Sequence, residues 1–430
     1  MTRATYTRPD ETATDTPRRI CVVGAGTRFL SGISYYTQVL ANELARSHDV
    51  SVILMRQLLP TRLYPGRARV GVELVRPTYA SGMRVFDGVD WYWMPSLARA
   101  LAFLIRERPE VLVLQWWTGT VLHSYTALAT MARLLGIRVI IEFHEVLDPA
   151  EASQPMVQRY VRAISPALLR LTAGFVVHSE FDREILEEQY KLGDRPIALI
   201  PHGPYNQYVG ATTAATGQDE ASGLCRLLFF GTIRPFKGLE DLLTAFDALA
   251  PEDAARYHLT VVGETWEGWT LPEAMIARSP YRERITFINR YVHDDEVGDF
   301  FAEADVVVLP YHRSSASGPL QIAMSSGLPV IVTAVGGLRE AVRNYQGAIT
   351  IRPQAPEALR EALPRAATLR GQRFADPHSW ERTVRRYDAL FAALGPHKQA
   401  IEGQSSMISP VFAAPRALSP VAQRPCGVAR

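Results

Sequence analysis

Two cations three residues apart, Arg234 and Lys237, stand in the stretch Phe230-Gly231-Thr232-Ile233-Arg234-Pro235-Phe236-Lys237-Gly238. An apolar run at 226–230 (RLLFF) ends at Gly231, and a helical pattern over 239–249 follows Gly238. An arginine fork grips phosphate oxygens two at a time, and a lysine adds a compact charge. Such a pair on a loop between strand and helix suits a diphosphate leaving group neutralised without a metal ion.

A second group of residues points to the same chemistry. Ser314, Ser315, Ala316, Ser317, Gly318, Pro319 and Leu320 follow the run 306–309 (VVVL) and open a predicted helix that contains Gln321 and ends near Ser326. Small residues there leave amides and hydroxyls free at a positive helix end, which favours a phosphate. Gly327-Leu328-Pro329 stops that helix, and the run 330–333 (VIVT) leads to Gly336-Gly337. All of these loops fall at one edge of the sheet that must carry Arg234 and Lys237.

The first half offers histidines at strand ends. His144 follows 138–143 (RVIIEF), His178 closes 174–178 (GFVVH), and His202 stands where 197–201 (IALIP) enters a polar loop. An imidazole at the end of a strand, facing a cleft, could accept a hydrogen bond or steady charge at a reacting centre. His202 is equally explained by hinge geometry. Trp116-Trp117 reads as a platform for a sugar or lipid chain or as core, and Gly32 opens a helix whose backbone N–H groups face the cleft.

The elements that must position these groups alternate short apolar, β-branched runs with helical stretches. The first series is 19–24, 50–55, 111–115, 138–143, 174–178 and 197–201, and a second begins at 226–230 and continues through 258–262, 285–288, 306–309 and 330–333. Continuous apolar strands separated by helices predict parallel sheets covered on both faces. The fold class is therefore α/β, with two Rossmann-like domains and a deep cleft between them, and ligands are expected outside the carboxyl ends of the strands. The expected organisation is a flexible leader over 1–18, a first domain over 19–202, a linker over 203–224, a second domain over 225–378, a C-terminal helix over 379–396 and a disordered tail over 397–430.

Composition agrees with that picture. The chain has 430 residues, 47% of them hydrophobic and 21% charged, enough for two cores and unlike collagenous, coiled-coil or disordered proteins. A formal net charge of +2 provides no bulk field for nucleic acid. The cysteines Cys21, Cys225 and Cys426 lack disulfide or metal spacing, so no metal site is expected and a reducing cytoplasm fits. No run reaches the ~18 apolar residues of a membrane span.

The stretches GTIRPFKG, SGPLQIAMSSGLPVIVTAVGGLRE and HSWE resemble the donor half of the family 4 retaining glycosyltransferases of GT-B fold. The looser landmarks SGIS, LQWW, FHE, VVHSEFD and IPHGPY match the acceptor half, and the resemblance covers about 19–396. It implies a UDP- or GDP-sugar donor in the interdomain cleft, transfer with retention, and no cofactor or metal. It also implies that Arg234 and Lys237 hold the diphosphate, that His144 lies near the transferred sugar, and that Arg290, Tyr291 and Val292 line the base site beside Asn289. Most of the family carries two glutamates eight apart. Here Ser314 and Ile322 occupy those positions, as in a subset with Ser-Gly before the helix, so Ser315, Ser317, Gln321 or backbone amides must contact the sugar and ribose. The expected acceptor is a saccharide or lipid-linked hydroxyl.

Other readings follow from particular residues. Gly24-Ala25-Gly26 invites an NADP site with Arg56 on the 2′-phosphate, although Phe29 stands where that motif wants a small residue. Loss of both glutamates fits a non-catalytic nucleotide-binding scaffold, and a GT-B phosphorylase or epimerase is a nearer variant. Arg56, Arg62, Arg67 and Arg69, interleaved with Leu58, Leu59, Leu63 and Tyr64, and the stretch Trp91-Tyr92-Trp93-Met94 together predict peripheral contact with the inner membrane face.

Overall fold

The computed structural model describes residues 16–26, 32–57, 78–90, 94–146, 155–209, 223–266 and 268–395. The expected leader (apart from 16–18), the tail, most of the linker, Arg62, Arg67, Arg69, Leu58, Leu59, Leu63, Tyr64, Trp91, Tyr92, Trp93 and Phe29 lie outside them.

Seven parallel strands form the first sheet: β1 (Arg19–Ala25), β2 (Asp49–Gln57), β3 (Arg84–Asp90), β4 (Val111–Trp116), β5 (Arg138–Phe143), β6 (Gly174–Val177) and β7 (Ile197–Leu199). Their spatial order is β3-β2-β1-β4-β5-β6-β7. Six more form the second: β8 (Cys225–Phe230), β9 (Tyr257–Val262), β10 (Ile285–Ile288), β11 (Val306–Leu309), β12 (Val330–Thr333) and β13 (Ala348–Ile351), in the order β10-β9-β8-β11-β12-β13. Both sheets reverse direction once, between β1 and β4 and between β8 and β11. Loops diverge at such a switch point and leave a crevice beyond the strand ends. The central strands are buried along their whole length because helices cover both faces. Two Rossmann-like domains of GT-B type result.

Two edge strands, β3 and β13, go beyond the sequence expectation. Residues 84–90 (RVFDGVD) mix charges with apolar residues, as an edge strand with one partner does, and lack the unbroken apolar run of the interior strands. The last helix, Trp380–Ala393, also departs from it. Rather than standing apart, it returns to the first sheet, where Trp380, Tyr387, Leu390 and Phe391 pack with Ile20, Val22, Tyr36 and Leu40. Its indole Nε1–H donates to Pro204 O at 2.8 Å, and the ring lies where a Cβ on Gly203 would come within 2.4 Å. This contact fastens the segment leaving β7 for the second sheet.

The beginning of the expected linker is packed. Tyr205 is buried and stacks with Tyr35 at 6.1 Å, while the Tyr208 hydroxyl reaches Asp294 at 3.3 Å. Among the described residues no helix is long and apolar enough to cross a membrane.

Candidate functional site

The second sheet's switch point holds the two cations. β8 ends at Gly231, whose φ of +108° suits glycine, and a Cβ there would lie 3.1 Å from Lys237 Nζ and 3.3 Å from Pro319 Cγ. The Lys237 ammonium therefore sits between the end of β8 and the first turn of the helix Gly318–Ser325, and also 5.2 Å from the Tyr311 ring. The segment Pro235–Lys237 is a single 3₁₀ turn closed by Gly238 at φ +65°. Gly238 passes so near β11 that a Cβ would meet Pro310 O at 2.0 Å, which fixes where the lysine starts. Arg234 lies half-buried with its guanidinium 4.2 Å from the Trp266 ring centroid and 6.0 Å from that of Phe236. Both cations are thus held by aromatic faces at the strand ends.

The helix Gly318–Ser325 presents its N-terminus to the same corner. Ser317 is its N-cap, its hydroxyl accepting Leu320 N–H at 3.2 Å, with Pro319 in the first turn, where a missing N–H does no harm. Leu320 and Gln321 are buried, and Gln321 Oε1 has no hydrogen-bond partner. Ser314 donates to Ala316 O at 2.6 Å, and Ile322 is buried in the core. Ser315 turns toward the first half and meets Glu145 Oε2 at 3.5 Å. Gly336 and Gly337 let this loop lie close: a Cβ on either would come within 2.1 Å of Ser314 O or Ser315 O.

The expected base-site segment is arranged differently from the phosphate corner. Val292 is buried, and the Asn289 side-chain oxygen accepts Thr265 N–H at 2.9 Å, next to Trp266. The Arg290 guanidinium is held by Glu296 in a two-point ion pair, one contact at 2.9 Å. Glu296 belongs to the capping box of the helix Asp294–Glu303, so this arginine is tied to the helix end. The Tyr291 ring lies 6.3 Å from that of His293.

In the first half the histidines gather at one point, with His178 and His202 on the wall of a cavity between the halves. His144, His178 and His202 follow the adjacent strands β5, β6 and β7, and their ring nitrogens lie within 4.8 Å of one another. His144 is 6% exposed and packs edge-on against Tyr36 at 4.7 Å. Its neighbour Glu145 makes the contact with Ser315. Beneath the rings lies Glu142, fully buried, accepting the Tyr36 hydroxyl at 2.7 Å and the Gln115 amide at 3.0 Å. Burial alone would raise its pKa, but His144 and His178 outweigh that and hold it below the usual carboxylate range. Burial, then the neighbouring His144, pushes His178 down to about 4, and His202 is pushed down by burial and His178. One acid inside the apolar run RVIIEF was the available sign of this network.

Other expectations are corrected. Trp116 and Trp117 are core, Trp116 stacking on Phe143 at 5.1 Å and Trp117 meeting Tyr125 edge-on, so neither forms a platform. A Cβ on Gly24 would strike Gln115 Oε1 at 2.2 Å and Thr37 Oγ1 at 2.4 Å, so this glycine makes room for a side-chain hydrogen bond rather than a pyrophosphate. Arg56 pairs with Asp90 through two contacts, one at 3.1 Å. The Gly32 carbonyl accepts the Tyr205 hydroxyl at 3.5 Å.

A cavity of about 280 Å³ lies between the halves, lined by His178 and His202 on one side and by Ser315, Ser317 and Gln321 on the other. Arg343, Arg382 and Arg386 also line it.

Comparison with known proteins places the architecture. The family model described as Glycosyltransferase Family 4 matches residues 30–204, and that described as Glycosyl transferases group 1 matches 225–368. A D-inositol 3-phosphate glycosyltransferase from Geodermatophilus obscurus is 34% identical over 180 residues, 39% of this chain and 39% of that protein. The chain thus spans about two fifths of the length of that curated relative. A GDP-mannose:glycolipid 4-beta-D-mannosyltransferase from Xanthomonas campestris is 26% identical over 258 residues, covering 55% of this chain and 66% of that one. Among solved structures, sucrose-phosphate synthase from Thermosynechococcus elongatus superposes with a TM-score of 0.60 at 17% identity, over 86% of this chain and 94% of that one. HepE from Anabaena, in complex with UDP-glucose, superposes at 0.56 with 13% identity, over 88% and 95%. With one model on each half and the two-sheet architecture shared, the chain belongs to the family 4 glycosyltransferases of GT-B fold.

Proposed function

We propose that the protein is a glycosyltransferase moving a sugar, with retention, from a UDP- or GDP-sugar to the hydroxyl of a glycan, glycolipid or small metabolite. The observation that carries this reading is Lys237 Nζ, set between Gly231 and Pro319 at the switch point of the second sheet, with Arg234 on Trp266 beside it. The relatives named above use GDP-mannose or act on inositol phosphate and glycolipid acceptors, and HepE was solved with UDP-glucose, which supports the donor class.

In this mechanism Arg234, Lys237 and the N-terminus of Gly318–Ser325 hold the donor diphosphate. Negative charge grows on the leaving phosphate as the glycosidic bond stretches. Fixed cations stabilise that charge more in the transition state than in the ground state, without reorganising. The acceptor hydroxyl arrives from the first half on the same face and gives its proton to the departing phosphate. The diphosphate then needs no metal ion to neutralise it. Ser315 and Gln321 take over contacts that two glutamates make elsewhere in the family, and Ser315 is the one tied across the cleft to Glu145.

The test is a panel of UDP- and GDP-sugars, read first by thermal stabilisation of the full chain and then by release of the free nucleotide diphosphate with an acceptor mixture. Stabilisation by one donor and turnover of the same donor support the reading. Tight nucleotide binding with no turnover of any donor assigns a binding module instead, and stabilisation by NADP alone overturns the proposal.

A further inference from the structure

His144, His178 and His202 are far apart in sequence, so no spacing motif announces them, yet three adjacent parallel strands deliver them to one point. We propose that these three imidazoles form a binding site for one divalent transition-metal cation of the zinc class, with the Glu142 carboxylate completing or supporting it.

The first ground is unmet hydrogen bonding. Both ring nitrogens of His144, both of His202 and Nε2 of His178 are shielded from solvent without a partner. A buried polar atom left unpaired costs about 1–3 kcal/mol, so five in one cluster favour an occupant that pairs with them. The second ground is the His178 tautomer. Its Nδ1 lies 2.7 Å from Ile200 O, a contact that needs the proton on Nδ1 and leaves the Nε2 lone pair facing the cluster. A backbone carbonyl orienting the far nitrogen is the usual support of a metal-bound histidine.

The third ground is spacing. His178 Nε2 stands 3.6 Å from Glu142 Oε1, and His144 Nε2 stands 3.8 Å from Glu142 Oε2. Two ligands of a tetrahedral zinc ion, with bonds of about 2.0–2.1 Å, lie about 3.4 Å apart. The Glu142 distances are close to that separation, and one ring nitrogen of each histidine lies within 4.8 Å of the others. Tyr36 packs its ring against all three imidazoles and, with Gln115, fixes the carboxylate.

His178 and His202 also line the cavity that Ser315, Ser317 and Gln321 face, and the binding test below does not rest on the transfer reaction. His202 leads straight into Gly203 and Pro204, the segment clamped by Trp380, so a cation here pins the crossover between the halves.

Full-length protein stripped with a chelator and titrated with Zn²⁺ and Co²⁺ tests the proposal by calorimetry, thermal melting and the visible Co²⁺ spectrum. The expected result is one equivalent bound, a raised melting temperature and the spectrum of a four-coordinate, nitrogen-rich site. His202→Gln and His178→Gln should each weaken binding on the order of 100-fold or more, since even supporting residues are worth 10–100-fold. The wild-type Co²⁺ spectrum decides the question even if a variant fails to fold. No stoichiometric binding by the wild type, or undiminished binding by a folded His202→Gln variant, overturns the inference.

Discussion

The carboxylate of Glu340, on the second half, accepts the backbone N–H of Glu180, on the first, at 2.8 Å, and its other oxygen takes Phe181 N–H at 3.0 Å. Those two amides open the helix Glu180–Gln189 and have no intrahelical acceptor. Ser179 caps the same helix from within, and Gly337 packs on its hydroxyl, so one helix end is closed by both halves.

Glu340→Ala should therefore loosen the contact between the halves rather than either core. The expected cost is about 1 kcal/mol, the usual worth of a helix cap. Thermal melting should fall by roughly 1–3 °C, with donor KM raised more than kcal-scale stability alone explains. Glu340→Gln, which keeps an acceptor, should recover part of both. An unchanged KM in the alanine variant removes the coupling.

Gly231 tests the phosphate corner through backbone geometry. An alanine there must adopt φ +108° and place its Cβ against Lys237 Nζ and Pro319. Strain at such a position costs about 1–3 kcal/mol. Gly231→Ala should lower the melting temperature and displace the ammonium, so donor affinity falls even where the protein remains folded. Full donor affinity in a folded variant contradicts the placement.

Arg234 is aimed by its aromatic neighbour. Trp266→Ala removes a cation–π contact worth about 0.5–2 kcal/mol, which corresponds to donor binding weakened by roughly 2- to 30-fold. Trp266→Phe should retain most of the affinity. Calorimetric titration with the nucleotide diphosphate distinguishes these, and equal affinity in all three proteins sinks the assignment.

Asp182 gives a pH dependence with a definite sign. Burial pushes its carboxyl above the ordinary range, although Ser179 pulls the other way. The folded chain then holds this proton more tightly than the unfolded chain does. Its contribution is fully present below the unfolded pKa and is lost as pH rises through the folded value. Asp182→Asn should gain melting temperature relative to wild type as pH rises above about 4 through the raised folded value. A constant difference across that range is the contrary result.

Interior strands were legible because burial on both faces leaves an unbroken apolar run, as in VIVT and VVVL. The edges β3 and β13 were not, since one-sided pairing tolerates charge and glycine. Arg234, Lys237, Ser317 and Pro319 were legible through local chemistry at a strand end. The histidine cluster was hidden because its members meet only through the order of β5, β6 and β7, and Arg290 because its partner Glu296 is chosen by a helix cap. Trp116 and Trp117 show the opposite limit: an aromatic pair at a strand end has the same composition whether it faces a ligand or a core.

The most direct measurement is donor turnover and nucleotide-diphosphate binding by Lys237→Ala, with melting recorded on the same sample. Transfer should fall by about 100- to 1,000-fold, as for loss of one charge-stabilising donor, while the melting temperature stays near that of wild type. Near-normal turnover in the folded variant would contradict a diphosphate held between Gly231 and Pro319.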